Sequence, residues 1–218
     1  MSTRTIAAPV SRLPLWLKLV YTAFMAVLLP VYWANYGPTN FLYFCDVALL
    51  ITLAAVWLES PLLVSMCAVG ILGSQTLWVI DFVLNIFGKK LTGLTDYMFA
   101  ADHSLFLRSL SLFHGWLPFL LVFLVWRLGY DRRGLPAWTV LAWALILVCF
   151  FFMPPPRPDP GLEPVNIDYV WGFSDTEPQH WMGPGLWVGG LMVLMPLLLF
   201  VPTHLLLHRV MPKPVRAW

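Results

Sequence analysis

Charged residues are scarce in this sequence of 218 residues, where Asp, Glu, Lys and Arg together make up 11%. A soluble globular domain carries about 25%. Hydrophobic residues account for 60% of the chain, and the long apolar runs that supply them leave little chain for a separate soluble domain. The shortage of charge therefore excludes an ordinary soluble protein and predicts an integral membrane protein with several spans.

The sequence also lacks a strong net charge and a cysteine framework. The net charge of +2 and the absence of a basic face away from the predicted spans exclude nucleic acid as a partner. Cysteine occurs three times, at Cys45, Cys67 and Cys149, with no C-x-x-C and no metal-type pair. Buried free thiols are the default interpretation of such cysteines. We predict no resident metal and no other cofactor.

The apolar runs predict an all-α fold, a polytopic membrane protein built as one domain of residues 1–218. Each run is long enough, at 1.5 Å per helical residue, to cross most or all of a hydrocarbon core about 30 Å thick. The predicted six-transmembrane-helix bundle has spans at about 14–33, 40–57, 61–87, 105–126, 137–153 and 186–207. A proline-rich loop with five acidic residues, 154–185, joins the last two spans. So long a loop in a compact bundle is often functional.

Basic residues flank the predicted spans unequally. One side carries Arg4, Arg12, Arg127, Arg132, Arg133, Arg209, Lys213 and Arg216, and the other carries Lys89, Lys90 and Arg157. Because cytoplasmic loops are enriched in Lys and Arg, both termini are predicted to be cytoplasmic. Loop 154–185 then faces outward. The predicted location is the inner (plasma) membrane of a bacterial cell.

Several polar residues stand inside the apolar runs, where an ionisable group is costly and usually functional. Cys45 and Asp46 are adjacent, and helical rise puts them about 8 Å below the outer end of span two. Asp81 lies about 9 Å deep in span three, and His114 about 14 Å deep in span four. These four residues are predicted to share one cavity that opens outward.

A thiol beside an imidazole forms a nucleophile–base pair, because the thiolate attacks and the imidazole takes its proton. We predict Cys45 as the nucleophile and His114 as the base. Asp46 or Asp81 would orient the imidazole as the third member of a triad.

Four further residues are predicted to bind the substrate. Arg108 and Ser111 share a face of span four, where Arg108 would hold an oxyanion or a lipid phosphate. Asn166 and Asp168 belong to the outward loop above the cavity. The predicted partner and substrate is membrane lipid. The same residues also fit a structural network of hydrogen bonds, or a metal site of Asp46, Asp81 and His114.

Three short motifs carry a resemblance to a known family. They are FCD at 44–46, FHGWLP at 113–118 and VNIDYVWG at 165–172. Their order is similar to that of the intramembrane acyl hydrolase and acyltransferase superfamily, with its androgen-induced-gene threonine hydrolases, ether-phospholipid arachidonoyl transferase and bacterial YwaF-like membrane proteins. The resemblance implies six spans, a nucleophile at Cys45 in place of the family's threonine, and a base at His114.

Two other classes of protein stay open. A metal-dependent membrane hydrolase of the ceramidase and adiponectin-receptor type also carries paired histidines, and His204 and His208 have the i, i+4 spacing of ligands. They lie at the inner end of span six, about 28 Å from its outer end and too far from His114 to share an ion. The second class is a non-enzymatic membrane scaffold or a lipid- or pigment-binding subunit. The sequence leaves the oligomeric state open.

Overall fold

The computed structural model describes residues 12–101 and 103–214. Helices and loops make up this part of the chain, which contains no strand, so the all-α prediction is confirmed. The helices are α1 (Leu15–Tyr36), α2 (Phe44–Leu58), α3 (Pro61–Ile86), α4 (Leu105–Ser111), α5 (Phe113–Leu128), α6 (Gly134–Phe152), α7 (Pro184–Met195) and α8 (Val201–Val210). Short 3₁₀ turns form at Pro38–Leu42, Asp96–Met98 and Ile167–Tyr169.

Five helical segments among the described residues are long and apolar enough to cross a bilayer, as an integral membrane protein requires. They are α1, α3, the α4–α5 pair, α6 and the α7–α8 pair. The second predicted span differs, because α2 has 15 residues and a length of about 22 Å. Its predicted first turn is instead the 3₁₀ turn Pro38–Leu42, which Pro38 opens.

Two predicted spans are interrupted helices. α4 and α5 meet at Leu112, and the amide of Gly115 bonds the Leu112 carbonyl in a tightened turn. α7 and α8 are joined by a π-helical turn, Pro196–Phe200. Pro196 has no N–H to donate to the carbonyl four residues earlier. Trp143 of α6 donates its indole N–H to that carbonyl, Met192 O, at 2.7 Å.

α3 is the centre of the bundle and packs against α2, α5 and α6. Gly70 allows the closest approach, because a Cβ at this position would lie 1.8 Å from Cε2 of Trp138 on α6. Trp138 is fully buried as a result. α3 runs unbroken through Gly70 and Gly73, so these glycines accommodate neighbouring side chains and do not break the helix.

The described chain ends gather at one end of the bundle, which we call the terminal end. Arg127 donates to the carbonyl of Arg12 at 2.7 Å, and the amide of Tyr130 donates to the carbonyl of Pro212 at 2.7 Å. Lys18 and Glu59 form an ion pair of 2.7 Å. Arg4 and Arg216, two of the basic residues used to predict orientation, lie outside the described residues.

The opposite end, which we call the loop end, is where residues 153–183 meet the start of α2. The amide of Phe44 donates to Oδ1 of Asp168 at 3.2 Å, and the Tyr43 hydroxyl donates to the Val165 carbonyl at 3.5 Å. Loop 153–183 therefore lies over the first turn of α2, where the predicted nucleophile stands.

Candidate active site

Cys45 and Asp46 lie in the first turn of α2. Asp46 is buried, and its Oδ2 accepts from the side-chain amide of Asn40 at 3.4 Å and from the Cys45 thiol at 3.6 Å. Its Oδ1 is buried without a hydrogen-bond partner. A helix N-terminus carries partial positive charge and favours a carboxylate there. This turn therefore places a half-buried thiol next to a carboxyl group, one oxygen of which has no hydrogen-bond partner.

Asp168 reaches the same turn from loop 153–183. Its Oδ1 caps α2 through the amide of Phe44, while its Oδ2 is buried without a hydrogen-bond partner. Burial raises the pKa of the Asp168 carboxyl well above its usual range, against the opposing effect of the Phe44 hydrogen bond. The Cys45 thiol interacts electrostatically with both Asp46 and Asp168. Two of the predicted acids therefore do face the predicted nucleophile.

His114 lies in the first turn of α5, next to the break at Leu112. Its Nδ1 is 2.8 Å from the carbonyl oxygen of Ser111. A carbonyl oxygen only accepts hydrogen bonds, so Nδ1 carries the proton and the neutral ring has an unprotonated Nε2. The ring stacks on Trp78 of α3 with centroids 4.9 Å apart. The Ser111 carbonyl thus fixes the tautomer of the imidazole, and the stack on Trp78 fixes its plane.

Two tyrosines connect these two groups. The Tyr32 hydroxyl is 2.8 Å from the Ser111 hydroxyl and lies in electrostatic range of Asp46. The Tyr97 side chain interacts with that of Ser111 and, electrostatically, with Cys45. We call the group Tyr32, Cys45, Asp46, Tyr97, Ser111 and His114 the polar cluster.

Sequence reasoning missed both tyrosines of the polar cluster. Tyr32 had a detectable signal, because it continues the buried stripe Tyr21, Met25 and Leu28 at helical spacing along α1. A tyrosine on a buried stripe needs a partner for its hydroxyl. Tyr97 had no such signal, because the loop that carries it has no periodic pattern.

The orientation of His114 differs from the prediction of an aspartate partner. The Ser111 carbonyl, and neither Asp46 nor Asp81, contacts Nδ1. No hydrogen bond joins Cys45 to His114 in the described part of the chain. The two residues belong to one polar cluster through Tyr97 and Ser111, without a hydrogen bond between them.

Asp81 holds a loop. It is fully buried, and its two oxygens accept from the amides of Leu91, Thr92 and Thr95 and from the Thr95 hydroxyl at 2.8–3.1 Å. Four donors leave little capacity for an imidazole. We therefore leave Asp81 out of the proposed catalytic group, as a correction to its predicted role.

Asn166 and Arg108 also make structural contacts. The Asn166 side chain donates to the carbonyls of Gly172 and Ser174 and accepts from the amide of Trp171. These three bonds fold the loop on itself, so Asn166 is not free to bind a substrate. Arg108 donates one Nη1 bond to the carbonyl of Met98, while its Nε is buried without a hydrogen-bond partner. Arg108 thus retains an unused donor.

The paired histidines of α8 lie at the terminal end. The Nδ1 of His204 is 2.6 Å from the hydroxyl of Tyr130, which follows α5. His114 lies in the first turn of α5, at the other end of that helix. Helical rise therefore separates His114 from His204 by about 20 Å. Within residues 12–101 and 103–214, no three His, Cys, Asp or Glu side chains group as metal ligands. The described residues thus offer no support for the metal-dependent class.

Comparison of the chain with family models, with curated proteins and with solved structures found no match. The functional argument therefore depends on the geometry of the polar cluster.

Proposed function

We propose that the chain is an intramembrane lipid acyl hydrolase or acyltransferase, with Cys45 as nucleophile and His114 as general base. The observation that carries the proposal is the 2.8 Å contact between Nδ1 of His114 and the Ser111 carbonyl. A histidine held in this way presents Nε2 as the proton acceptor, which is the role that a nucleophile's base needs. The half-buried thiol of the same polar cluster supplies the nucleophile.

In the proposed reaction the sulfur of Cys45 attacks the carbonyl carbon of a lipid ester. His114 takes the thiol proton on Nε2 and gives it to the leaving alkoxide as the ester C–O bond breaks. Water, or a second lipid hydroxyl, then attacks the thioester and releases Cys45. Proton transfer requires the thiol and Nε2 to come within about 3.2 Å, or to be bridged by one water. Apo sites often tighten only when the substrate binds.

The remaining polar groups have roles that follow from their contacts. The hydroxyls of Tyr32 and Tyr97 stand in the polar cluster as donors for the oxyanion of the tetrahedral intermediate. Arg108, with its unused Nε donor, binds a headgroup oxygen. Asp46 accepts from the thiol and holds the sulfur in place before the reaction.

The proposed topology has six spans, with α2 as the short second crossing. α2 connects the loop end to the terminal end, because Asp168 caps its first turn and Glu59 follows its last residue. The basic residues Arg127, Arg132 and Arg133 belong to the terminal end, which we assign to the cytoplasm of a bacterial inner membrane. The polar cluster then opens toward the outer leaflet, where it meets lipid esters.

Labelling with a lipid-tailed β-lactone, which acylates an activated nucleophile, tests the proposal. Cys45→Ala should abolish labelling, and His114→Gln should slow it by at least tenfold at pH 7. The matched control is Cys67→Ala, since Cys67 is a fully buried thiol of α3. Each variant must keep the wild-type melting temperature in detergent. Equal labelling of wild type and Cys45→Ala would refute the nucleophile assignment.

A further inference from the structure

Loop 153–183 carries a pocket that lies apart from the polar cluster. Its volume is about 550 Å³, within the range of ligand pockets, about 300–1,000 Å³. It is lined by Phe173, Ser174, Glu177, Pro178, Gln179, His180 and Trp181. Two aromatic rings and a carboxylate thus line one pocket.

The two aromatic side chains of the pocket pack against a buried tryptophan, which we call the support. Phe173 and Trp181 both contact Trp187 edge-on, with centroid distances of 5.1 and 5.3 Å. Trp187 is buried at 7% exposure and donates its indole N–H to the carbonyl of Tyr169. Phe173 and Trp181 themselves are 78% and 66% exposed. The support fixes the position of two rings whose surfaces remain open.

The rim of the pocket is also held in place. The Gln179 side chain exchanges two hydrogen bonds with the backbone of Met182, at 2.8 and 3.0 Å. The amide of Gln179 donates to the carbonyl of Trp171 at 2.8 Å. Gly172, with φ of 129°, passes so close that a Cβ there would lie 2.9 Å from Cβ of Gln179. The pocket is therefore formed before any ligand arrives.

The charge of the pocket favours a cation. Glu177 is exposed and forms no ion pair with any residue in the described ranges. Arg157 is the sole Arg or Lys of loop 153–183 and is already paired with Glu163. The exposed Asp159 adds to the negative charge of the loop. Aromatic rings attract cations through their electron-rich faces, and aromatic cages with a nearby acid recognise quaternary ammonium groups.

We propose that this pocket binds the trimethylammonium headgroup of a choline-type phospholipid in the adjacent leaflet. Charge complementarity with Glu177 and the open faces of Phe173 and Trp181 select a cation of low hydration. The pocket adjoins the start of α7, where Leu186 is 70% exposed, so a lipid whose headgroup occupies the pocket can lay its chains along an apolar helix. The inference goes beyond the proposed function and holds whether or not Cys45 is a nucleophile.

The test measures binding to full-length protein in nanodiscs by equilibrium dialysis of radiolabelled phosphocholine. The neutral competitor 3,3-dimethylbutanol has the shape of choline without its charge. Glu177→Gln and Trp181→Leu should each weaken binding by about twofold to fivefold. The matched controls are Glu163→Gln, which is paired outside the pocket, and Trp126→Leu, another exposed tryptophan. Both controls should bind as the wild type does.

A second arm measures which native lipid stays with the protein from nanodiscs of equal phosphatidylcholine, phosphatidylethanolamine and phosphatidylglycerol. Retention should favour phosphatidylcholine in the wild type and lose that preference in Trp181→Leu. Three outcomes would overturn the proposal. The first is that 3,3-dimethylbutanol competes as well as unlabelled phosphocholine, and the second is that phosphocholine binds but no lipid is preferred. The third is that the control variants lose as much binding as Glu177→Gln and Trp181→Leu. Because no step of the test uses Cys45 chemistry, its result is independent of the β-lactone experiment.

Discussion

The amide of Phe44 donates to Oδ1 of Asp168 at 3.2 Å, across 124 residues of sequence. This bond joins the first turn of α2 to loop 153–183 and places an acid from the loop beside the Cys45 thiol. The other oxygen of Asp168 is buried without a hydrogen-bond partner. The contact thus both positions the loop and leaves a carboxyl in an unfavourable environment for its charge.

Replacement of Asp168 by Asn should reduce the pH dependence of stability. Burial raises the pKa of Asp168 in the folded state, so its contribution to stability is present below its unfolded pKa of about 4 and is lost as pH rises toward the folded value. Asn keeps the acceptor for Phe44 and does not titrate. The melting temperature of the wild type should fall more between pH 5 and pH 8 than that of Asp168→Asn.

The control for this prediction is Asp159→Asn, which alters an exposed acid of the same loop. It should keep the wild-type pH profile. If Asp168→Asn and Asp159→Asn give the same profile as the wild type, Asp168 does not carry the pH dependence.

Gly70→Ala should strongly destabilise the bundle. The added Cβ would lie 1.8 Å from the indole of Trp138, which is fully buried and has no room to move. Overpacking of this kind costs about 3 kcal/mol. On the same helix, Gly73→Ala would place its Cβ 3.4 Å from Leu199 and should be neutral or stabilise by about 0.5 kcal/mol. Denaturant titration in detergent measures both, and equal stabilities would contradict the packing of Trp138 on Gly70.

Glu59→Gln should lower stability by about 3 kcal/mol, because it leaves the Lys18 ammonium largely buried without its carboxylate. The side chains of Lys18 and Glu59 are only 10% and 17% exposed. The matched control is Asp96→Asn, since the side chains of Lys90 and Asp96 are 63% and 47% exposed. An exposed pair contributes less than about 1 kcal/mol. Similar losses in both variants would contradict the burial argument.

Asp81→Ala should release the loop that follows α3. The amides of Leu91, Thr92 and Thr95 lose their acceptor, so their hydrogen exchange should rise by at least tenfold. β-Lactone labelling of Cys45 should fall together with the rise in exchange, because the released loop carries Tyr97, a proposed oxyanion donor. If labelling collapses while hydrogen exchange stays unchanged, Asp81 acts on His114 after all.

Much of the candidate site follows from sequence because its residues are polar groups in apolar runs. Cys45, Asp46, Ser111 and His114 stand out by this criterion alone. Tyr97 does not, because it reaches the site from a loop whose course depends on Asp81. The pairing of Nδ1 with the Ser111 carbonyl also lay beyond the sequence, since it requires the helix break at Leu112.

Asn166 shows why composition alone is a poor guide to role. A polar residue in a long loop predicts substrate binding, yet its side chain makes three bonds to backbone groups of residues 171–174. Such a residue satisfies the loop's own amides and carbonyls, which the sequence does not reveal.

By itself the sequence determined that this chain is helical and membrane-embedded, because apolar runs of this length must satisfy their backbone internally in lipid. It also identified the few side chains that are too polar to lie in lipid without a polar partner. Only the tertiary structure decided which of them meet. Contacts such as Phe44 with Asp168 join groups far apart in sequence, and their distances depend on how distant helices and loops pack together rather than on any local pattern.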